Sequence, residues 1–165
     1  LFEMTSDLFF ATTAEDHGPF DIIYLDGLHT FEQTFRDFCA SLRHSHENTI
    51  WLIDDTNPTD WLSAHPNYLF VKRFRKALRI RKRDWMGDTY KIVFAIHDFF
   101  PQFSYATFSG HSQTVVWNEV RRNFLPTWNS LKSISAISFR KSRNYLDSHL
   151  NFLDDEAIYS LVSRI

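Results

Sequence analysis

Acidic residues follow two short apolar segments of the chain, at a separation that could bring them together. Asp26 comes directly after residues 20–25, and Asp54 and Asp55 come directly after residues 49–53. Carboxylates that lie close together repel one another unless protons or a cation intervene. Oxygen ligands of this kind suit a hard divalent ion such as Mg²⁺ or Mn²⁺. The sequence therefore predicts a metal site formed by Asp26, Asp54 and Asp55.

A histidine completes this group of candidate residues. His29 lies one turn beyond Asp26, where it could act as a general base or as a further metal ligand. Acids at strand ends also cap helices or bind loop amides, and a histidine can lie at a helix start without any chemical role. Gly27 predicts a turn with a positive φ or a close backbone approach. Because one acid after the first strand would face two acids after the second, the pattern favours a ligand-binding site. Asp26 and His29 are its catalytic candidates.

The elements that must position these residues form a strand–helix–strand unit. Residues 21–25 and 50–53 are rich in β-branched and aromatic residues and are too short for buried helices, which is typical of buried strands. Residues 30–44 carry apolar side chains at helical spacing, and Thr30 with Gln33 predicts a capping box. Such a unit has parallel strands, whose carboxyl ends meet at the edge where open α/β sheets bind ligands.

Later segments predict further helices and a hairpin. Residues 67–83 predict a strongly basic helix, and residues 89–100 a second helix, for which a strand at 92–96 is the alternative. Residues 104–108 and 114–117 predict an antiparallel hairpin. The remaining residues, 118–165, predict two or three helices with a weakly packed tail.

Composition limits the classes of function. The chain has 165 residues, a net charge of −2, seventeen Phe and five Trp, which predicts one core dominated by large rings and argues against a surface built for nucleic acid. Cys39 is the single cysteine, so no internal disulfide is possible, which suits a reducing, cytoplasmic compartment. No apolar run approaches membrane-spanning length, which argues against a membrane protein.

The motifs closely resemble a known family. The sequence FDIIYLDGLHTFE at residues 20–32, Arg36-Asp37 and IDDTNP at residues 53–58 are similar to the C-terminal half of class I S-adenosylmethionine-dependent methyltransferases. The similar branch ends its fourth strand in a D-G-x-H-x-[YF] motif and its fifth in an acidic pair. The likeness extends over residues 1–117, so we expect a partial Rossmann-like methyltransferase domain there and a helical extension at residues 118–165.

The resemblance implies an α/β fold and a reaction. The family's strand order is 3-2-1-4-5-7-6, so the chain would supply parallel strands four and five and an antiparallel hairpin for strands six and seven. In metal-dependent relatives, the positions matching Asp26, Asp54 and Asp55 hold Mg²⁺. The ion would lower the pKa of an acceptor hydroxyl, which then attacks the sulfonium methyl group, with His29 as proton acceptor.

The family's glycine-rich loop and its ribose-binding acid are not found among these residues. Only the segment at Ser6 and Asp7, which in relatives lies near the adenine, would contact S-adenosylmethionine. The early position of the βαβ unit predicts an upstream part of a larger domain, and these residues alone would bind the cofactor weakly or not at all. Without the family's first strand, residues 21–25 would form an exposed apolar edge, which predicts a homo-oligomer.

Three classes of function stay open. The first is a methyltransferase acting on a hydroxyl of a small molecule or glycan. The second is a metal-dependent hydrolase or hydroxylase-like enzyme, and the third is a noncatalytic remnant or binding module. The basic run at residues 72–83 could bind phosphate, an acidic glycan or nucleic acid, or could form a solvated helix face. Trp61 and Trp85 could stack on an acceptor or anchor the core.

Overall fold

The computed structural model describes residues 1–82 and 84–163, and the predicted basic segment therefore has Arg83 outside the described residues. The strands are β1 (Ile22–Leu25), β2 (Ile50–Ile53), β3 (Ser104–Phe108), β4 (Thr114–Trp117) and β5 (Phe152–Leu153). The α-helices are α1 (Ser6–Thr12), α2 (Phe31–Ser41), α3 (Tyr68–Ala77), α4 (Lys91–Phe99), α5 (Leu131–Ser135), α6 (Phe139–His149) and α7 (Asp155–Val162). Short 3₁₀ turns follow α1 at Ala14–Asp16 and α2 at Leu42–His44.

The strands form one mixed sheet in the order β1-β2-β4-β3-β5. β1 and β2 are parallel, with Leu25 opposite Ile53, and β4 is antiparallel to both of its neighbours. The predicted α/β fold class is confirmed: two parallel strands stand beside an antiparallel hairpin, in the order that the resemblance implies for strands four to seven. β5 is an additional strand, parallel to β3 at the far edge.

Large rings fill the core between the sheet and its helices. Phe38 of α2 packs edge-to-face on Trp51 and Phe103, with ring centroids 5.8 and 5.9 Å apart. Phe38 and Phe94 of α4 have no exposed surface. Because these rings fix α2 against β2, they also fix the loop that carries the candidate residues before α2.

The start of α2 differs from the prediction. Thr30 is the N-cap residue, but its side chain makes no capping hydrogen bond. The Phe31 amide instead donates to the carboxylate of Asp88, at 2.9 Å, and the Gln33 side-chain amide donates to Asp37 at 2.9 Å. The predicted capping box is wrong, because the Gln33 side chain bonds Asp37 and Ser6 and so does not reach back to the Thr30 amide.

The other elements mostly follow the predictions. α4 is helical where a strand was the alternative, and α3 ends at Ala77, well before the end of the predicted basic helix. The predicted two or three C-terminal helices are present as α5, α6 and α7. The weak packing expected of the tail is wrong, because Ile158 of α7 is buried. No helix within the described ranges is long and apolar enough to cross a membrane.

One edge of the sheet carries exposed apolar side chains. β1 is the terminal strand, and 64% of the Ile22 surface and 53% of the Tyr24 surface are exposed. An edge strand of this character offers unpaired backbone groups to another chain. Association through β1 stays a prediction of the sequence.

We expect the protein to sediment as a dimer and Ile22→Lys to sediment as a monomer, because an edge lysine opposes strand pairing. Leu125→Lys, at a side chain that is 84% exposed outside the sheet, is the matched control and should remain dimeric. A monomeric wild-type protein in analytical ultracentrifugation would contradict association through this edge.

A buried ion pair joins the start of α4 to α2. Asp88 accepts hydrogen bonds from the Phe31 amide and from Lys91 Nζ, the latter at 2.8 Å. Lys91 Nζ also donates to the Ser135 carbonyl oxygen at 2.7 Å, and both charged side chains are buried. Loss of one partner would leave the other charge buried and unpaired.

We expect Asp88→Ala to lower the free energy of unfolding by about 3 kcal/mol, measured by urea denaturation. Asp147→Ala is the control, because Asp147 is largely exposed and only forms a surface pair with Arg143 on the same helix. Its expected cost is below about 1 kcal/mol. Equal costs for the two variants would mean that the Asp88 pair does not stabilise the fold.

Candidate active site

Parallel pairing brings the two acidic strand ends to one edge of the sheet. Asp26 directly follows β1, and the Asp54 amide donates to the Leu25 carbonyl oxygen at 3.1 Å as β2 ends. Asp26, His29 and Asp55 each offer one ligand-type atom, and these atoms all lie within 4.8 Å of one another. The structure therefore gathers two of the predicted acids with the predicted histidine.

His29 bridges the two acids. Its Nε2 lies 3.0 Å from Asp26 Oδ1, and its Nδ1 lies 2.9 Å from Asp55 Oδ2 and 3.0 Å from the Trp85 carbonyl oxygen. Each ring nitrogen faces oxygen acceptors, so the imidazolium form satisfies both sides. The hydrogen bond to Asp55, opposed by partial burial, raises the pKa of His29 to about 9. The ring is therefore protonated at neutral pH.

The backbone at this bridge is strained. His29 and Asp55 have φ values of 55° and 60°, in the left-handed region that non-glycine residues rarely adopt. Gly87, with φ of 61°, packs so closely that a Cβ there would lie 1.7 Å from the His29 carbonyl oxygen. Gly27 was predicted to need positive φ and does not, and a Cβ at Gly27 would make only an ordinary contact at 3.4 Å with Asp37.

Asp54 lies apart from the bridged group. Its carboxylate accepts hydrogen bonds from the Tyr24 hydroxyl at 2.6 Å, from Gln113 at 3.0 Å and from Ser112 at 3.1 Å. Burial opposes ionisation, but these hydrogen bonds lower the pKa of Asp54. The bond to Asp54 raises the pKa of Tyr24, so that hydroxyl keeps its proton. Metal binding by Asp54 stays a prediction.

A cleft of about 500 Å³ runs along the exposed side of β1 to Asp26. Its wall is mostly apolar, with Met4 and Phe9 among its members, and the predicted cofactor residue Ser6 also lines it. The other predicted cofactor residue, Asp7, forms an ion pair with Arg36 at 3.1 Å. The structure thus brings Ser6, but not the carboxylate of Asp7, to the cleft beside Asp26.

Sequence reasoning missed Gly87 and Tyr24 as parts of the site, and it gave Trp85 a different role, stacking on an acceptor or anchoring the core. Trp85 stacks on the His29 ring with centroids 5.2 Å apart, Gly87 supports the His29 backbone, and Tyr24 holds Asp54. Tyr24 lies two residues before Asp26, and this alternation in a strand is the signal that could have placed it at the site. Nothing local links Trp85 and Gly87 to a histidine more than fifty residues earlier.

The raised pKa of His29 predicts a pH-dependent contribution to stability. A folded pKa of about 9, above the ordinary value of 6.5, stabilises the fold fully below pH 6.5, and the contribution disappears as the pH rises through 9. We expect His29→Asn, which tolerates a left-handed backbone, to cost about 1–2 kcal/mol at pH 6, after allowance for solvent screening. The cost should shrink above pH 9.

His111→Asn, in the exposed hairpin turn, should show no such dependence. A pH-independent cost at His29 would contradict the bridge.

We expect Gly87→Ala to lower the free energy of unfolding by about 2 kcal/mol, because a Cβ both strains the backbone and meets the His29 carbonyl. The pKa of His29, followed by NMR, should move back toward 6.5. Gly110→Ala is the control, since no atom lies within 4 Å of a Cβ at that position. An unchanged His29 titration in Gly87→Ala would show that Gly87 does not position the histidine.

One comparison with known proteins gave a match. Residues 1–56 match a family model described as a methyltransferase domain. This segment contains all six predicted site residues: Ser6, Asp7, Asp26, His29, Asp54 and Asp55. No curated protein and no solved structure matched the chain. The resemblance to class I S-adenosylmethionine-dependent methyltransferases is thereby confirmed, on a match that extends over residues 1–56.

Proposed function

We propose that the chain takes part in metal-assisted methyl transfer from S-adenosylmethionine to a hydroxyl group of a small molecule or glycan. One observation carries this proposal: Asp26, His29 and Asp55 meet at the carboxyl edge of β1 and β2, inside the segment that matches a methyltransferase domain. Ligands of open α/β sheets bind at this edge.

The donor set fits a divalent cation. Two carboxylate oxygens and one imidazole nitrogen lie within 4.8 Å of one another, and the side chains are only partly exposed. Carboxylates prefer hard ions such as Mg²⁺ and Mn²⁺, while the imidazole would also admit Zn²⁺ or Fe²⁺. A bound divalent ion would lower the pKa of the acceptor hydroxyl. Asp26 and Asp55 would hold the ion, and Asp54 stays the third predicted ligand.

The cleft along β1 fits one side of S-adenosylmethionine. Ser6 offers a hydroxyl, and the apolar wall with Met4 and Phe9 suits a flat heterocycle. The bound cofactor supplies an electrophilic methyl group on its sulfonium. Asp26 lies at the end of the same cleft, so these residues would orient the two reactants beside each other.

His29 has a role that depends on the cation. A protonated imidazole with a pKa of about 9 cannot accept a proton at neutral pH. A positive ion held by Asp26 and Asp55 would lower that pKa, because like charges disfavour each other. We therefore propose that His29 accepts the acceptor's hydroxyl proton, or contributes a nitrogen to the ion, only when the cation is bound.

A metal-dependent hydrolase or hydroxylase-like enzyme is the competing proposal. It would use the same group of Asp26, His29 and Asp55 without S-adenosylmethionine. The methyltransferase match of residues 1–56 favours the first proposal. That proposal includes a cytoplasmic location and a small-molecule or glycan acceptor.

We expect Mn²⁺ to raise the melting temperature of the wild-type protein and to have no effect on Asp55→Asn, because the bridged group loses a charged ligand. Asp54→Asn tests the third predicted ligand: a reduced shift would add Asp54 to the donor set, and a retained shift would leave its carboxylate to Tyr24 and Gln113. Asp16→Asn, an exposed acid outside the site, is the matched control and should respond like the wild type.

Methyl transfer from radiolabelled S-adenosylmethionine to a panel of polyhydroxylated small molecules and oligosaccharides is the second measurement. Transfer that requires Mn²⁺ and disappears in Asp55→Asn supports the proposal. Wild-type protein without any Mn²⁺ shift would contradict the metal site. Turnover of an acceptor without the cofactor would favour the hydrolase-like alternative.

A further inference from the structure

A second cavity, separate from the candidate active site, lies against the basic helix α3. Its volume is about 400 Å³, and four cationic side chains line it: Lys72, Arg75, Lys76 and Lys82. Tyr68 contributes an aromatic ring to the same wall. The proposed methyl transfer assigns no role to this concentration of positive charge.

Arg75 is the unusual member of this group. Its side chain is only 9% exposed, and its Nε and Nη2 atoms have no hydrogen-bond partner among the described residues. The nearest acid is Asp84, whose Oδ1 is also buried without a hydrogen-bond partner and lies 4.0 Å from Nη2, beyond hydrogen-bond distance. A buried guanidinium with unused donors is costly, so its position favours an anionic partner.

The neighbouring acids do not balance the cations. Lys82 Nζ forms ion pairs with Asp60 at 2.9 Å and with Asp84 at 3.3 Å. Within residues 1–82 and 84–163, no carboxylate lies within 4.0 Å of the ammonium groups of Lys72 or Lys76. Asp60 and Asp84 are thus two acids among four cations, and positive charge is left in excess around the cavity.

We propose that this cavity binds a phosphate group. A guanidinium matches two oxygens of a phosphate at once, and lysines add charge that does not require fixed geometry. The cavity is larger than a single phosphate requires, and Tyr68 lies where an organic part attached to the phosphate would contact it. The ligand class is therefore a phosphate monoester, with the free anion as the other source of the same chemistry.

Aromatic rings connect the cavity with the candidate active site. Tyr68 packs on Trp85 with ring centroids 5.0 Å apart, and Trp85 in turn stacks on His29. A phosphate held by Arg75 would thus lie two rings away from the bridged acids. The proposal itself needs neither a metal ion nor methyl transfer, so it stands or falls independently of the proposed function.

The test is isothermal titration calorimetry of the full chain with inorganic phosphate and with phenyl phosphate, at low ionic strength. Lys72→Gln/Lys76→Gln removes two exposed charges from the cavity and should weaken phosphate binding by about tenfold with unchanged folding. Arg73→Gln/Arg81→Gln is the matched control: it removes two exposed charges from the same segment, outside the cavity lining, and should change affinity by less than about twofold.

Tighter binding of phenyl phosphate assigns the cavity to an ester, and equal binding assigns it to the free anion. Absence of binding by the wild-type protein would overturn the proposal. Equal losses in the two double variants would overturn it as well, because they would reduce the effect to the diffuse charge of a solvated helix face.

Discussion

The parallel pairing of β1 with β2 is the constraint on which the candidate site depends. It forces two strand ends to stop at the same edge, so Asp26 and the Asp54-Asp55 pair emerge side by side. Such a concentration of carboxylates is unfavourable without a positive charge between them. In the structure the imidazolium of His29 supplies that charge, and the proposed divalent cation would take its place at the same oxygens.

The backbone of this arrangement is strained, and the surrounding structure holds it in that conformation. His29 and Asp55 both adopt left-handed backbone conformations, and Gly87 is the residue without a side chain that allows the His29 backbone to lie so close. Strain of this kind persists only where the neighbouring packing fixes it, and the Trp85 ring stacked on His29 is part of that packing. The buried pair of Asp88 and Lys91 also fixes the start of α2, because Asp88 accepts a hydrogen bond from the first amide of that helix.

Local patterns were sufficient for the strands and for the gathering of acids, and insufficient for the assignment of each acid. The short apolar runs at β1 and β2 are rich in β-branched and aromatic residues, which predicts strands. Parallel pairing then follows from the helix between them. Asp54 and Asp55 are neighbours in sequence, but one carboxylate contacts Tyr24 and the other contacts His29. Only tertiary contacts decide this difference, as they decide that Asp88 accepts from the first amide of α2. The basic run likewise predicted charge, but it did not predict that Arg75 would be buried.

Anomalous X-ray scattering from crystals soaked in Mn²⁺ tests the central claim most directly. The account predicts a manganese peak bound by carboxylate oxygens of Asp26 and Asp55 at the carboxyl edge of β1 and β2. No peak at that edge, with Asp26 and Asp55 still joined through His29, would contradict the account.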